Sequence, residues 1–183
     1  MFCPACGFEN LPGADRCEDC MEPLMKLDVP RPRLGLQQRL MEDAVSHLNP
    51  LPPISLPAGA PVIEAIQLLK DRKVGCVLAV EGKQLVGILS ERDLLYKLAG
   101  SPNSLDQIRL KDVMTAHPVT LGLEDSIRFA LYQMSVGGFR HIPIVKEKIP
   151  VGIISIKDVL RYINRTVLQQ GSEEASSRAG ASS

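Results

Sequence analysis

The 183-residue sequence has no Trp, only four Phe and three Tyr, and no net charge, with 21 Lys and Arg set against 21 Asp and Glu. With so few rings, a core must be aliphatic, and the 45% hydrophobic and 23% charged residues exclude wholesale disorder. The neutral balance removes any general attraction to nucleic acid or to an anionic membrane. No apolar run approaches the roughly 18 residues of a membrane span, and the opening MFCPACG lacks the basic and apolar regions of a signal peptide. A cytoplasmic protein without a membrane partner is therefore expected. GxSxG, P-loop, HExxH and GxGxxG patterns are also missing, and no nucleophile has an evident activator, so no enzyme is expected.

Five cysteines are an odd number, which argues against a closed disulfide framework. Cys3 and Cys6, then Cys17 and Cys20, form two CxxC pairs, whereas Cys76 stands alone in an apolar run and reads as a small buried hydrophobe. Each CxxC can turn two thiolates onto one ion, and two such knuckles supply the four sulfurs of a tetrahedral zinc site. Four thiolates also suit iron, and thiol redox chemistry would call for a nearby βαβ pattern. Gly7 suits the positive φ that a knuckle can require. FCPACGFENLPGADRCEDCMEPL, Phe2 to Leu24, resembles the short zinc ribbons at the ends of many prokaryotic proteins. It departs from them at Met21, where Gly is usual. That resemblance implies a structural zinc in a module over 1–25 that attaches to an unidentified protein partner.

Shifting the chain by 65 positions aligns Pro53 with Pro118, Ala65 with Ala130, Val80 with Val145, Gly87 with Gly152, Ser90 with Ser155, Asp93 with Asp158 and Leu95 with Leu160, all without a gap. Each unit reads as an extended piece, a helix, two strands around a turn (EGKQ, KEKI), and a second helix. Pro61 opens the first helix, and Gly100 with Pro102 ends the last helix of the first unit. GILSERD and GIISIKD place Ser and Asp as a capping box at a helix start. Capping alone would explain both pairs. The same helix end also offers free N–H groups to an anion, and its carboxylate can accept from two vicinal hydroxyls, the two demands of a ribose phosphate.

With the doubled G-h-h-S-x-x-D and the segment DVMTAHPVTL, the region from about Leu48 to Val167 resembles a pair of CBS domains. The implied fold class is α+β or α/β: two tandem β-α-β-β-α repeats with pseudo-two-fold symmetry, over 49–100 and 101–167, preceded by the ribbon. The first unit reads HLNPLPPISL in place of the usual arm. The resemblance further implies adenine nucleotides (AMP, ADP or ATP) held as regulatory ligands. One cleft would take Ser155 and Asp158 for ribose, Arg140 and His141 for phosphate, and Ile54, Val74, Gly75 and Cys76 around the base. The other would take Ser90 and Asp93, with Val119, Phe139 and His141 near the base and Gly75 and Cys76 at the phosphate. Only the first has basic side chains where phosphate is expected, so it should bind more tightly. An unperturbed His141 would weaken phosphate binding as pH rises.

Residues 26–48 read as a linker with a helix over Leu34 to Leu48, striped by Leu36, Leu40 and Val45 or Leu48. The tail over 168–183 is small and polar and is expected to be disordered. A homodimer is expected through the helices at 61–72 and 124–136. The alternative is a ribbon adaptor that binds nucleic acid or protein beside an empty CBS pair. Arg16, Lys26, Arg31, Arg33 and Arg39 give it a thin basic footprint, so nucleic acid is not favoured.

Overall fold

Periodicity of two and of 3.6 along the repeats resolves into the expected alternation of strand and helix. The computed structural model describes residues 2–3, 5–11, 14–24, 35–98 and 104–180, with side chains for all of these except 35, 37, 38 and 169–180. The Pro-rich linker from 25 to 34 and the Gly100 and Pro102 stop lie outside the described residues. Two compact units result. One holds Met1–Asn49, Glu124–Arg140 and Ser155–Ser183, and the other holds Pro50–Leu123 and His141–Ile154.

In the first unit, after the four-cysteine segment over 2–24, come α1 (Gly35–Glu42) and a 3-10 turn over Val45–Leu48. The single helix expected over Leu34 to Leu48 is thus broken at Asp43 and Ala44. Their stretch of backbone pairs with residues 125–127 instead of with itself: Val45 N–H donates to Asp125 O at 2.7 Å, and Ile127 N–H to Asp43 O at 3.0 Å. Val45 and Leu48 are buried, as the stripe requires. The same unit contains α5 (Ile127–Gly137) and α6 (Ile156–Gly180), whose Ile127 and Val159 are fully buried.

The second unit contains β1 (Ser55–Pro57), α2 (Val62–Arg72), β2 (Cys76–Glu81), β3 (Gln84–Ser90), α3 (Glu91–Leu98), α4 (Leu110–Val113), β4 (Thr115–Ala116), β5 (His141–Lys146) and β6 (Ile149–Ser155), the last residue of which already belongs to the first unit. One sheet has the order β1-β2-β3-β4, with β1 parallel to β2 and the remaining pairs antiparallel; β5 and β6 form a second sheet. The repeats exchange arms: β4, from the second arm, pairs with β3 through Gly87 and Ile88, while Leu51, from the first arm, bridges to Ile153. The 65-residue shift takes Leu51 to Ala116 and Ile153 to Ile88, so the exchange is reciprocal, with the register offset by one residue.

Val62 and Ala65 turn α2 inward onto Ala79, Leu89 and Leu110, and Leu69 is buried on the same helix. Its first turn follows Pro61, which sits just outside the helix with φ −60° and ψ 140° and lacks the N–H that a helix start leaves unpaired. In α5 the same place is taken by Ser126, whose Oγ accepts from Phe129 N at 3.1 Å.

The tail, expected to be disordered from 168, is instead helical as far as Gly180. Extending a formed helix adds one hydrogen bond per residue without a new nucleus, and the Gln, Glu, Ala and Arg of this stretch suit it.

Candidate functional site

The N-terminal four-cysteine module is itself a short repeat, with a period of 14 residues. Gly7 N–H donates to Cys3 O at 2.8 Å and Met21 N–H to Cys17 O at 2.9 Å, and each knuckle is closed by a bridge, Phe2 to Glu9 and Arg16 to Pro23. Gly7 has φ +76°, and Met21, at the matching position, has φ +60°. The missing glycine therefore does not change the turn; Met21 adopts the left-handed conformation that an L side chain resists by roughly 1–2 kcal/mol.

The Sγ atoms of Cys3, Cys6, Cys17 and Cys20 all lie within 4.8 Å of one another, with Cys3 and Cys20 at 3.6 Å and Cys6 and Cys17 at 3.4 Å. These are far from a disulfide's roughly 2.05 Å and close to the edge of a tetrahedron with metal–sulfur bonds of about 2.3 Å. Donors already face the sulfurs: Ala5 N–H reaches Cys3 at 3.4 Å, and Asn10 Nδ2 reaches Cys17 at 3.5 Å. Burial pushes the Cys17 thiol up, but backbone donors at Cys20 and Asp19, together with Asn10, outweigh it and bring the pKa down to about 6. Cys6 goes the other way, raised chiefly by burial. The donor set fits a zinc ion, which would supply charge neutralisation and cross-linking of the two knuckles. Asn10 was not legible from motif spacing. It also accepts from Glu18 N–H at 2.9 Å and ties the knuckles together.

The two Ser-Asp pairs adopt one geometry twice. Ser90 N–H and Oγ–H donate to Asp93 Oδ2 at 2.9 and 2.6 Å; Ser155 N–H and Oγ–H donate to Asp158 Oδ2 at 2.8 and 2.7 Å. The capping function is thus present at both helix starts. Their second oxygens differ. Asp93 Oδ1 is taken by Thr115 Oγ1 at 3.0 Å and Lys97 Nζ at 3.1 Å, whereas Asp158 Oδ1 meets Arg161 at 2.9 Å, a side chain 74% exposed.

Burial pushes the Asp93 carboxyl up, but the Ser90, Lys97 and Thr115 donors outweigh it and hold the group below its ordinary 3.8. A depressed folded-state value stabilises the fold above the unfolded pKa, and that contribution is lost as pH falls through the folded one. Asp93→Asn is therefore expected to flatten the acid limb of stability below about pH 4, measured by urea unfolding between pH 3 and 6; an unchanged limb would contradict it.

Of the sequence-predicted residues, the second unit brings together Gly75, Cys76, Ser90, Asp93 and His141. Cys76 pairs with Ser90, Glu91 N–H donates to Gly75 O at 3.3 Å, and a Cβ on Gly75 would lie 2.6 Å from His141 Cε1. The glycine is thus what admits the imidazole ring. Ile54 and Val74 also belong to this unit, as does Val119, which is 40% exposed. Cys76 is buried, as expected, and burial together with Glu91 pushes its thiol up to about 12.

The first unit contains Ser155, Asp158, Arg140 and Phe139. Arg140 O accepts from Ile156 N–H at 2.9 Å, the bond that Gly75 O makes in the other repeat, so the exposed Arg140 stands beside the start of α6 where the first repeat has only Gly75. Thr115, Lys97 and Arg161 were not foreseen. The Thr115 signal was present, since the 65-residue shift puts Pro50, with no hydroxyl, in its place.

A family model described as the CBS domain matches residues 41–100 and 110–165, more than half of the chain. The chain belongs to the CBS-domain family. Among its curated relatives in sequence is an uncharacterized 33.4 kDa protein in the ribosomal RNA operon of Thermofilum pendens, 35% identical over 117 residues, or 61% of this chain and 38% of the relative. The mitochondrial CBS domain-containing protein CBSX3 of Arabidopsis thaliana is 32% identical over 107 residues, 56% of this chain and 52% of that protein. The chain thus spans about half or less of these relatives. The CBS domain protein PAE2072 of Pyrobaculum aerophilum, solved in complex with AMP, matches with a TM-score of 0.58 and 29% identity over 63% of this chain and 88% of that one. CBS domains are generally regulatory rather than catalytic. No helix among the described residues is long and apolar enough to cross a membrane.

Proposed function

We propose that this CBS pair is a sensor of adenine nucleotides and that its four-cysteine module holds a structural zinc and serves for attachment to a protein target. The observation that carries the first part is the duplicated Ser-Asp arrangement at the starts of α3 and α6. A carboxylate there can exchange its serine hydroxyl for the two vicinal hydroxyls of a ribose, while the helix end favours the phosphate. Arg140 beside α6 supplies the cationic side chain for that phosphate. The AMP bound by the Pyrobaculum relative supports this ligand class. Ligand binding regulates only if the two conformations it selects between differ in affinity for it.

Calorimetric titration of the full chain with AMP, ADP, ATP and S-adenosylmethionine, with metal analysis on the same sample, is expected to give saturable heat with at least one of them. No heat with any would overturn the sensor and favour the ribbon adaptor.

The chain is further proposed to form a homodimer through its CBS helices. The outward positions Glu64, Gln67 and Lys70 of α2 are polar, which leaves the half-buried Ile63, Ile66 and Leu68 as the apolar part of such a contact. Light scattering is expected to give a dimer mass, and a monomer at micromolar concentration would refute it.

A further inference from the structure

The ribbon does not stand free of the second repeat. Tyr132 of α5 packs on the cluster formed by Cys3, Ala5, Cys6, Cys17 and Leu24 and donates its hydroxyl to Asp19 Oδ2 at 2.6 Å. One turn earlier on the same helix face, Arg128 pairs with Glu22 at 2.7 Å. The ring of Phe129 lies against Gly7, where a Cβ would meet its Cε2 at 3.8 Å. Both knuckles therefore touch α5.

An independent observation comes from the repeat. The 65-residue shift maps Phe129 onto Glu64 and Tyr132 onto Gln67, both exposed on α2. Two of the chain's seven rings thus stand where the sister helix carries ordinary solvated side chains. An outward aromatic pair on a helix otherwise built like its twin calls for a covering partner, and the ribbon is that partner.

We propose that the outer face of α5 is a built seat for the metal-loaded ribbon, so that occupancy of the four-cysteine site controls the stability of α5; this rests on the metal reading of the four cysteines given above. A ribbon of this size has no sufficient core without its ion, so losing the ion dissolves the surface that covers Phe129 and Tyr132. The helix then loses its aromatic cover, a hydrogen bond and an ion pair together. Because α5 runs through Gly137 and Gly138 directly into Phe139 and Arg140, the ribbon bears on the part of the second repeat to which a phosphate contact is assigned.

Hydrogen exchange on the full chain tests this, comparing zinc-loaded with EDTA-treated protein. Chelation is expected to speed exchange of the 127–137 amides roughly tenfold while the 62–72 amides of α2, the internal control, stay unchanged. Phe129→Glu combined with Tyr132→Gln copies the residues that α2 carries. It is expected to retain the absorption of a tetrahedral Co(II)-thiolate site while exchange in α5 becomes insensitive to chelation. Tyr132→Phe, a milder change, should give an intermediate response. If Co(II) binds to the wild-type chain but α5 ignores chelation, the seat is overturned and the metal site stands. If Co(II) gives no thiolate spectrum, both fail.

Discussion

Asp158→Ala is expected to remove most of the heat of AMP titration, and Asp93→Ala much less. Asp158 keeps one oxygen in the capping box and the other on Arg161, a solvent-exposed partner whose ion pair is worth little and is easily released. Asp93 has no such freedom: a ribose arriving there must displace the Thr115 hydroxyl and the Lys97 ammonium from Oδ1. Loss of a carboxylate that accepts two hydroxyl hydrogen bonds costs about 3 kcal/mol, or roughly 100-fold in Kd. The phosphate end sharpens the ranking, because Arg140 beside α6 corresponds to Gly75 in the first repeat. Arg140→Gly, which makes the second repeat like the first, should therefore weaken AMP as well. Each aspartate also accepts from the N–H and Oγ–H of its serine, so both aspartate variants are expected to melt below wild type and the titrations are read well below those melts. The reverse ranking of the two aspartates would sink the assignment.

Much of this was legible because the chain states its architecture twice. A gapless 65-residue shift identifies corresponding strands and helices, and burial of Val62, Ala65 and Leu69 on α2 matches that of Ile127, Ala130 and Met134 on α5. The reading stopped where a partner comes from a distant part of the chain. Asp93 meets Thr115 only because the second arm joins the first repeat's sheet as β4. The break of the expected helix at Asp43 has the same cause, since residues 125–127 supply its backbone partners. Met21 shows the opposite limit: a spacing pattern specifies the turn strongly enough that the side chain conforms to it. The outward rings of α5 could have been found from the repeat itself, by asking where the two copies disagree rather than where they agree.

Cys17→Ser is expected to lower bound zinc from one per chain to near zero, with Cys76→Ser leaving it intact, as read by metal analysis after gel filtration. Cys17 is fully buried and lies 3.4 Å from the Cys6 sulfur, so a shorter, harder serine oxygen cannot replace its share of the tetrahedron. The loss extends beyond one ligand. Binding a structural zinc contributes about 10 to 16 kcal/mol in small peptides, and among the described residues of this module only Ala5, Asn10 and Leu24 are buried besides Cys3, Cys6 and Cys17. Without the ion, the Asn10 bridge between the knuckles and the left-handed turn at Met21 lose the cross-link that joins the two knuckles. The pH dependence has a definite sign. Metal binding requires thiolates and so releases protons, and zinc retention therefore falls as pH falls. The donors around Cys17 lower its thiol, whereas burial raises that of Cys6. Asn10→Ala removes one of those donors and should move zinc release to higher pH; release at an unchanged pH would mean that Asn10 contributes only to the fold.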